Sequence, residues 1–356
     1  MITKLALDKI MDALMLRHWG IFSIDRTTRK GLKRANFFNA SNSLLNLAEY
    51  DSEDSMDKTV LAIAVPYALE GVKVSSHKNR AKVEAFGWDF DYHVQVKILL
   101  NQVKADLEAL HGQTLKDVTV CVDNSPYNDR EVGFYAGLGQ VGYNHLLINR
   151  QLGSNFFIGY LVIHEKLPIE PSALVTLEDL PMTTGLSYCE TCRRCEQACP
   201  SHVCGFKEAD MSACLSAQTQ NKGIINVEMR LLIHNRLYGC SICQSVCPLN
   251  HYVTPHPLLT LKAENWVDAL ALLEMTHQNF MEIYGHMGFA WRPLWVYKRN
   301  ALIVIGNIGD QDALDLLSQM PHLNEDHKLA MYYRWAIQRL IDRINEQSDT
   351  INTKID

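Results

Sequence analysis

No stretch of this 356-residue sequence approaches the roughly 18 uncharged apolar residues that a membrane span requires. The segment 1–20 also lacks the unbroken apolar core of a secretory signal, because charged residues such as Lys4, Asp8 and Arg17 interrupt it. Its apolar residues recur at helical spacing instead, which predicts an amphipathic helix. We therefore expect a soluble, cytoplasmic protein.

An excess of positive charge is also missing. The formal net charge is -6 at pH 7, so bulk electrostatic attraction to nucleic acid is not expected. A local basic face would survive that average. RNA is therefore not excluded as a partner.

Ten cysteines are present, and their spacing is unlike a disulfide framework in a long chain that we expect to be intracellular. The run Cys189, Cys192, Cys195, Cys199 and Pro200 has the bacterial ferredoxin spacing. In such a run three thiolates hold one 4Fe-4S cube and the fourth turns to a second cube. The spacing therefore predicts two cubes.

Four further cysteines supply the thiolates that the two cubes still need. We assign one cube to Cys189, Cys192, Cys195 and Cys247, and the other to Cys199, Cys214, Cys240 and Cys243. Structural zinc is the alternative, because cysteines two apart also form tetrahedral zinc sites. Cys121 and Cys204 stand outside the pattern and receive no ligand role.

The length predicts more than one domain. Residues 1–180 alternate helical patterns with β-rich runs such as VLAIAVPYAL, VTVCVDNS, LLINR and FFIGYLVI, which predicts an α/β domain. A long helix from Asp91 to His111 suits a crossover connection within it. The segment 181–257 is Cys-rich and predicts a ferredoxin-like domain. Residues 258–345, from NWVDALALLEM onward, predict a helical solenoid piece, and 346–356 a disordered tail.

Iron–sulfur cubes carry single electrons, so they imply a reactive cofactor or a partner elsewhere in the system. At this point several motifs together resemble the epoxyqueuosine reductases, which use cobalamin and iron–sulfur clusters to complete queuosine at the wobble position of tRNA. The resemblance spans roughly residues 58–340 and rests on the ferredoxin run and on YGCSICQSVCPLN, AGLGQVGYN, GSNFFIGY and KRNALIVIGNIGD. Weaker parts are AIAVPY, FDYH and VDNSPYNDR.

The resemblance implies an α/β cobalamin-binding domain, a ferredoxin-like domain with two 4Fe-4S clusters, and a C-terminal HEAT-like repeat that helps to hold tRNA. It implies cobalamin between the first two domains and an electron donor such as flavodoxin or ferredoxin. The histidine motif that many cobalamin proteins use is absent. Cobalamin therefore follows from the resemblance alone.

The resemblance also implies roles for particular residues. Asp129, followed by Arg130, falls where the family has its proton donor, with Asp123 as the second choice; without the resemblance a loop acid is usually a solvated turn or cap residue. Residues beside the corrin would be Gly137, Gly139, Gly142 and Asn144. His93 is a further candidate cofactor ligand, although a lone histidine at a helix start is more often a capping or surface residue. The three glycines spell G-x-G-x-x-G, but they lack the strand-to-helix context of a dinucleotide site.

Three positions depart from the family pattern: Tyr135 and Tyr143 replace cations, and Gln140 replaces tryptophan. These changes favour an alternative function, a cobalamin-dependent reductase of a small molecule. A further alternative is an electron-transfer protein without a catalytic cofactor. For the RNA hypothesis, the C-terminal helices offer cations to tRNA phosphates: Arg292, Lys298, Arg299 and Arg334.

Overall fold

The structure is a computed structural model that describes residues 1–24, 57–68, 79–88, 90–176, 178–181, 186–205, 210–260 and 264–352. The strands are β1 Trp19–Ile24, β2 Lys58–Pro66, β3 Arg80–Val83, β4 Val118–Val122, β5 Gln140–Val141, β6 Leu147–Ile148, β7 Phe156–Ile163, β8 Arg236–Tyr238 and β9 Trp266–Asp268. The helices are α1 Lys4–Ala13, α2 Tyr92–His111, α3 Asp129–Tyr135, α4 Tyr188–Cys192, α5 Arg194–Ala198, α6 Leu215–Gln220, α7 Val227–Ile233, α8 Ile242–Ser245, α9 Ala269–Glu274, α10 His277–Tyr284, α11 Leu294–Ile308, α12 Gln311–Ser318, α13 His322–Glu325 and α14 Ala330–Asn352.

The N-terminal part is built on a four-stranded sheet in the order β1-β2-β7-β4. Every pair in it is antiparallel, so β2 and β4 run the same way on either side of β7. Helix α2 lies in the connection between these two strands, after β3, and is the crossover that the sequence predicts. The Asp91 side chain caps its start by accepting from the His93 N–H, and Gly112 ends it in the left-handed region at φ 76°. The predicted alternation of helices and strands is confirmed, on an antiparallel sheet.

Strand β2 is apolar along most of its length because both of its faces are covered. Leu61, Ile63 and Val65 face a core that α1 and α2 complete. Val60, Ala62 and Ala64 face the opposite core, which contains residues of α3. The period-two alternation of β side chains thus divides one strand between two cores.

A second sheet, in the order β8-β3-β9, joins three distant parts of the chain. Its core contains Ala81 and Val83 of β3 together with Leu215, Leu237 and the C-terminal helices. The boundaries predicted at 180 and 257 therefore do not coincide with the cores of the molecule. A short strand such as β3 shows no partner in its own sequence, because its pairing depends on residues more than 150 positions away.

The helices predicted after residue 258 are present, with two corrections. The predicted helix NWVDALALLEM is wrong at its start, where β9 pairs with β3 before α9 begins. The tail predicted to be disordered from 346 is helical as far as Asn352, because α14 continues through it; residues 353–356 lie outside the described part. At the N-terminus, α1 ends at Ala13 and β1 follows. Within the described ranges, no helix is long and apolar enough to cross a membrane.

Candidate functional site

Asp129 is the first residue of α3 and lies partly buried beside β7. The neighbouring Asn128 caps the helix with its side chain, which accepts from the backbone N–H groups of Arg130 and Glu131. The Tyr160 hydroxyl of β7 donates to Asp129 Oδ1 at 2.7 Å. Ser125 contacts both groups. The loop and the sheet together hold the carboxyl in place.

Burial raises the pKa of Asp129 to about 6, since the charged form loses water around it. The hydrogen bond from Tyr160 opposes this shift, and the nearby charge of Asp123 adds to it. A carboxyl with such a pKa is protonated in about a tenth of the molecules at pH 7, far more than a solvated turn residue with its ordinary pKa of 3.8. The environment therefore suits a proton donor.

Asp123 lies in a second group of polar side chains. Its Oδ2 accepts from the Tyr92 hydroxyl at 2.6 Å and lies 3.5 Å from Nε2 of His93. The Nδ1 atom of His93 lies 2.6 Å from Oδ1 of Asp91. The hydrogen bond with His93 holds the pKa of Asp123 below its usual range. Asp123 is thus ionised at neutral pH, which makes it the weaker candidate for a proton donor.

His93 lies between two carboxylates. Burial disfavours its cation, but the hydrogen bonds with Asp123 and Asp91 outweigh that effect and raise its pKa to about 9. A protonated imidazole has no lone pair for cobalt. This geometry favours a positioning role for His93 over the ligand role considered from the sequence.

The first group of cysteines surrounds a small enclosed cavity. Its lining includes Cys189, Cys192, Cys195 and Cys247, the four that the sequence assigns to one cube, together with Tyr143 and Asn144. The four thiols around this cavity are the donor set that a 4Fe-4S cube needs. Asn144, predicted to lie beside the corrin, thus lies against the first cysteine group.

The cysteines of the second group lie in two pairs of neighbours. Cys240 lies close enough to Cys214 for their charges to interact, and burial raises the pKa of Cys240 while Arg236 opposes the shift. Cys243 and Cys199 both lie near Cys204. Cys204 is in addition within hydrogen-bonding reach of Cys195, so it lies between the two groups. The sequence, which gave Cys204 no role, did not predict that position.

A buried polar network attaches the cysteine-rich segment to the N-terminal sheet. The Gln244 amide donates to the Tyr67 hydroxyl at 2.9 Å and to the carbonyl oxygen of Ser154 at 3.1 Å. The Asn250 side chain accepts from the Ser154 N–H at 2.6 Å. Gly153 allows this contact, because it has φ +58° and a Cβ there would lie 1.8 Å from Asn250 Oδ1. The motifs GSNFFIGY and CQSVCPLN therefore meet in one interface.

The glycines of AGLGQVG have a packing role within the chain itself. A Cβ on Gly139 would lie 2.3 Å from the carbonyl oxygen of Ile148, and one on Gly142 would lie 2.2 Å from the Ile148 side chain. Both glycines thus permit the close packing of β5 against β6. Gly137 has φ +71° at the end of α3. The segment follows a helix, not a strand, which agrees with the rejection of a dinucleotide fingerprint.

Arg299 was predicted to face tRNA, and that prediction is wrong. The side chain is fully buried, and its guanidinium donates to the carbonyl oxygens of Asn221 at 3.0 Å and Gly223 at 2.9 Å. The neighbouring Asn300 amide donates to the carbonyl oxygens of Thr219 and Leu237. Arg299 and Asn300 therefore hold, through backbone carbonyl groups, the chain segments that follow Cys214 and precede Cys240.

Sequence reasoning missed Tyr160 and Tyr92. Each lies in a motif that carries the resemblance, but nothing in the sequence links either tyrosine to an aspartate more than 30 residues away. The sequence signal for Tyr160 was weak. Tyr160 lies opposite Cys121 in the β4–β7 register, and Cys121 comes shortly before the loop that leads to Asp129. Only the pairing of the strands brings the two residues together.

Comparison with known proteins identifies the cysteine-rich segment. Residues 188–250 match the family model described as a 4Fe-4S double cluster binding domain. The prediction of two 4Fe-4S clusters is confirmed at the level of this domain, and the zinc interpretation is set aside. The assignment of individual cysteines to each cube stays a prediction.

Similarity extends over most of the chain. The sequence is 32% identical over 307 residues to the epoxyqueuosine reductase of Staphylococcus aureus (strain NCTC 8325 / PS 47), covering 84% of this chain and 76% of that protein. The structure of epoxyqueuosine reductase from Streptococcus thermophilus is 27% identical, with a TM-score of 0.75 over 95% of this chain and 90% of that one. The fold is shared, at 23% identity and a TM-score of 0.74, with a crystal structure of epoxyqueuosine reductase with an epoxyqueuosine-modified tRNA-Tyr stem loop, over 95% of this chain and 90% of that one.

Proposed function

The chain belongs to the epoxyqueuosine reductase family, and from that premise we propose that it reduces epoxyqueuosine to queuosine at the wobble position of tRNA, using cobalamin and two 4Fe-4S clusters. Removal of the epoxide oxygen as water takes two electrons and two protons. The clusters are suited to the electron supply, because each carries one electron at a time. Both protons end on the departing oxygen, and at least one of them must be supplied as the carbon–oxygen bond breaks.

The observation that carries the proposal is the state of Asp129. Its pKa, raised by burial to about 6, leaves a protonated fraction at neutral pH. Tyr160 and Ser125 hold the carboxyl from one side. In this proposal Asp129 donates a proton to the epoxide oxygen as the carbon–oxygen bond breaks, which is general acid catalysis.

Asp123 and His93 have a different part in the proposal. The ionised Asp123, held by Tyr92 and His93, is an acceptor for substrate hydroxyl groups. Its negative charge also contributes to keeping the pKa of Asp129 high. His93 and Asp91 position Asp123 and do not take part in the proton transfer.

The described residues fit part of a cobalamin site. A cleft of about 520 Å³ is lined by Gly137 and Gly139 and by the polar residues Arg150 and Gln151, among others. Amide and guanidinium groups are suited to hydrogen-bond the amide substituents of a corrin. These residues would hold the cofactor. Gly142 packs against Ile148, which also lines the cleft, whereas Asn144 lies against the first cysteine group. When bound, cobalamin supplies the reducing metal centre that opens the epoxide.

The tRNA assignment draws on the family and on the helical C-terminal part, which we propose to be the HEAT-like repeat that holds the anticodon arm. With Arg299 buried, the cations left for phosphate contacts on that side are Arg292, Lys298 and Arg334. An electron donor of the flavodoxin or ferredoxin type completes the proposed system, since the clusters need a source of electrons.

The test uses anaerobically reconstituted protein, a reductant and an anticodon stem-loop that carries epoxyqueuosine. Conversion to queuosine, measured by mass spectrometry of the digested RNA, is expected from protein loaded with iron and corrin. A loaded protein that leaves epoxyqueuosine unchanged would point to the small-molecule reductase. Protein that carries iron but takes up no corrin would point to simple electron transfer.

A further inference from the structure

Trp291 and Arg292 lie side by side at the edge of the helical part. The Arg292 guanidinium carbon lies 3.6 Å from the centroid of the Trp291 ring, which is a close cation–π contact. The indole N–H donates to the Tyr238 hydroxyl at 3.0 Å. More than half of the Trp291 side chain, 56%, is nevertheless exposed. Tyr238 holds the indole at its N–H, and Arg292 lies over the ring. The rest of the indole is open to solvent.

The pair lies beside the acidic site. The backbone N–H of Asp91 donates to the carbonyl oxygen of His286, and Phe90 pairs with Met287, so the segment before Trp291 lies against the start of α2. Burial, together with the nearby charges of Asp123 and Asp91, raises the pKa of Tyr238 to about 12. Tyr238 therefore links the indole to the carboxylates.

Arg292 has unused hydrogen-bonding capacity. Its Nε atom is buried and has no hydrogen-bond partner among the described residues. Buried donors of this kind are rare, because leaving one unpaired costs about 1–3 kcal/mol. No ion pair joins Arg292 to a carboxylate within the described part of the chain. The guanidinium therefore lies against the indole, and its charge is not neutralised by a carboxylate there.

We propose that Trp291 and Arg292 bind the nucleotide next to the modified one, with its base stacked on the indole and its phosphate contacting the guanidinium. This inference rests on the proposed function. Asp91, Asp123 and Asp129 repel phosphate, so a polynucleotide needs a cation where its backbone passes the acidic site. An exposed aromatic ring beside an arginine is the combination that binds single-stranded nucleotides through stacking and charge.

The test is a double-mutant cycle between the protein and the RNA. Wild-type and Trp291→Ala proteins are titrated with the epoxyqueuosine stem-loop and with two versions that lack the base on either side of the modified nucleotide. Because Trp291→Ala removes the ring on which the base stacks, this variant should bind the intact stem-loop about 10- to 100-fold more weakly than wild type. For the stem-loop that lacks the stacked base, the same substitution should change Kd by less than about twofold. Trp291→Phe should recover part of the affinity.

Arg292 is tested through salt. Arg292→Gln should lower the slope of log Kd against log salt by about 0.7, the value for one phosphate contact to a single strand, while Arg292→Lys should keep the slope.

Trp295→Ala is the matched control. Trp295 is also a tryptophan with a cation near its ring, Lys328 at 5.2 Å, and its contacts do not include Tyr238. It should leave Kd unchanged. Iron content and melting temperature report whether each variant is folded.

Equal weakening of the intact and both abasic stem-loops by Trp291→Ala, in a protein that converts its substrate, would overturn this inference and leave the proposed function standing. Wild-type protein that binds no stem-loop at all would overturn both.

Discussion

The Tyr160 hydroxyl donates a hydrogen bond of 2.7 Å to Oδ1 of Asp129 and thereby joins the central strand of the sheet to the candidate proton donor. The bond favours the charged carboxylate, whereas burial favours the neutral acid, and burial is the larger effect. The balance sets the pKa of Asp129 at about 6. Both the protonated and ionised forms are therefore accessible near neutral pH, which a catalytic acid requires.

Asp129→Asn is expected to lower turnover by about 100- to 10,000-fold, because an amide cannot deliver the proton. Cluster content and corrin binding should not change. The measurement is single-turnover conversion of the stem-loop, with Asp123→Asn as the matched control. If Asp123→Asn abolishes turnover while Asp129→Asn retains it, the two carboxylates have been assigned the wrong roles.

The same substitution has an effect on stability that does not depend on activity. The folded-state pKa of Asp129 is raised above its ordinary value of 3.8 to about 6. The stability that the neutral carboxyl contributes is therefore full below the unfolded pKa and is lost as pH rises through the folded pKa. Asparagine stays neutral throughout. As pH rises from about 4 to about 7.5, the melting temperature of Asp129→Asn should therefore increase relative to that of wild type. A difference that stays constant over this range would contradict the raised pKa.

Tyr160→Phe tests the hydrogen bond itself. Its removal takes away a donor to the carboxylate, so the pKa of Asp129 should rise further. Since the acid must be protonated to act, turnover falls as pH rises through that pKa. The descending limb of the pH–rate profile should therefore move to higher pH in Tyr160→Phe, with activity retained at the low-pH end. A limb that moves to lower pH would show that Tyr160 does not stabilise the carboxylate.

The sequence predicted the residue types of the site better than their surroundings. The spacing of Cys189, Cys192 and Cys195 is local and specific to segments that bind iron–sulfur cubes, and the need for a fourth thiolate added Cys247; all four line one cavity. The hydrogen bond between Tyr160 and Asp129 was not predictable, since it depends on the β4–β7 register and on the turn that follows β4. Likewise, Gln244 and Ser154 meet only because the short helix α8 packs against the turn before β7, and no shared periodicity connects these two segments.

Cysteine substitutions separate ligands from neighbours. Anaerobic protein should contain about eight iron atoms per chain, four in each cube. Cys214→Ser should lower that number to about four by removing a ligand of one cube. Cys204→Ser should leave it unchanged, although Cys204 lies near both groups. Loss of iron in Cys204→Ser would make it a ligand and would require a new assignment of the eight cysteines.

Arg299 shows why a basic motif cannot be assigned to a surface from sequence. The run KRN lies on α11, where helical spacing turns adjacent residues in different directions. Lys298 is partly exposed, whereas Arg299 is directed inward and bonds to backbone carbonyl groups. Burial lowers the pKa of Arg299 to about 10, so the residue stays charged at neutral pH. The buried positive charge is compensated by carbonyl dipoles of the segment that follows Cys214.

Substitutions at Arg299 and Lys298 should therefore have opposite signatures. Arg299→Gln removes hydrogen bonds from a buried cation to the carbonyl oxygens of Asn221 and Gly223 and is expected to destabilise the protein by about 1–3 kcal/mol for each acceptor left unpaired. The segment between Cys214 and Cys240 should loosen, and iron content should fall toward one cube. Lys298→Glu should keep the iron content of wild type and weaken binding of the tRNA stem-loop, most strongly at low salt, because the charge that is changed is partly exposed. Iron analysis, thermal melting and a salt titration of stem-loop affinity compare the two variants directly. An Arg299→Gln protein with full iron, an unchanged melting temperature and weakened RNA binding would return Arg299 to the RNA-binding surface, against the carbonyl contacts that bury it.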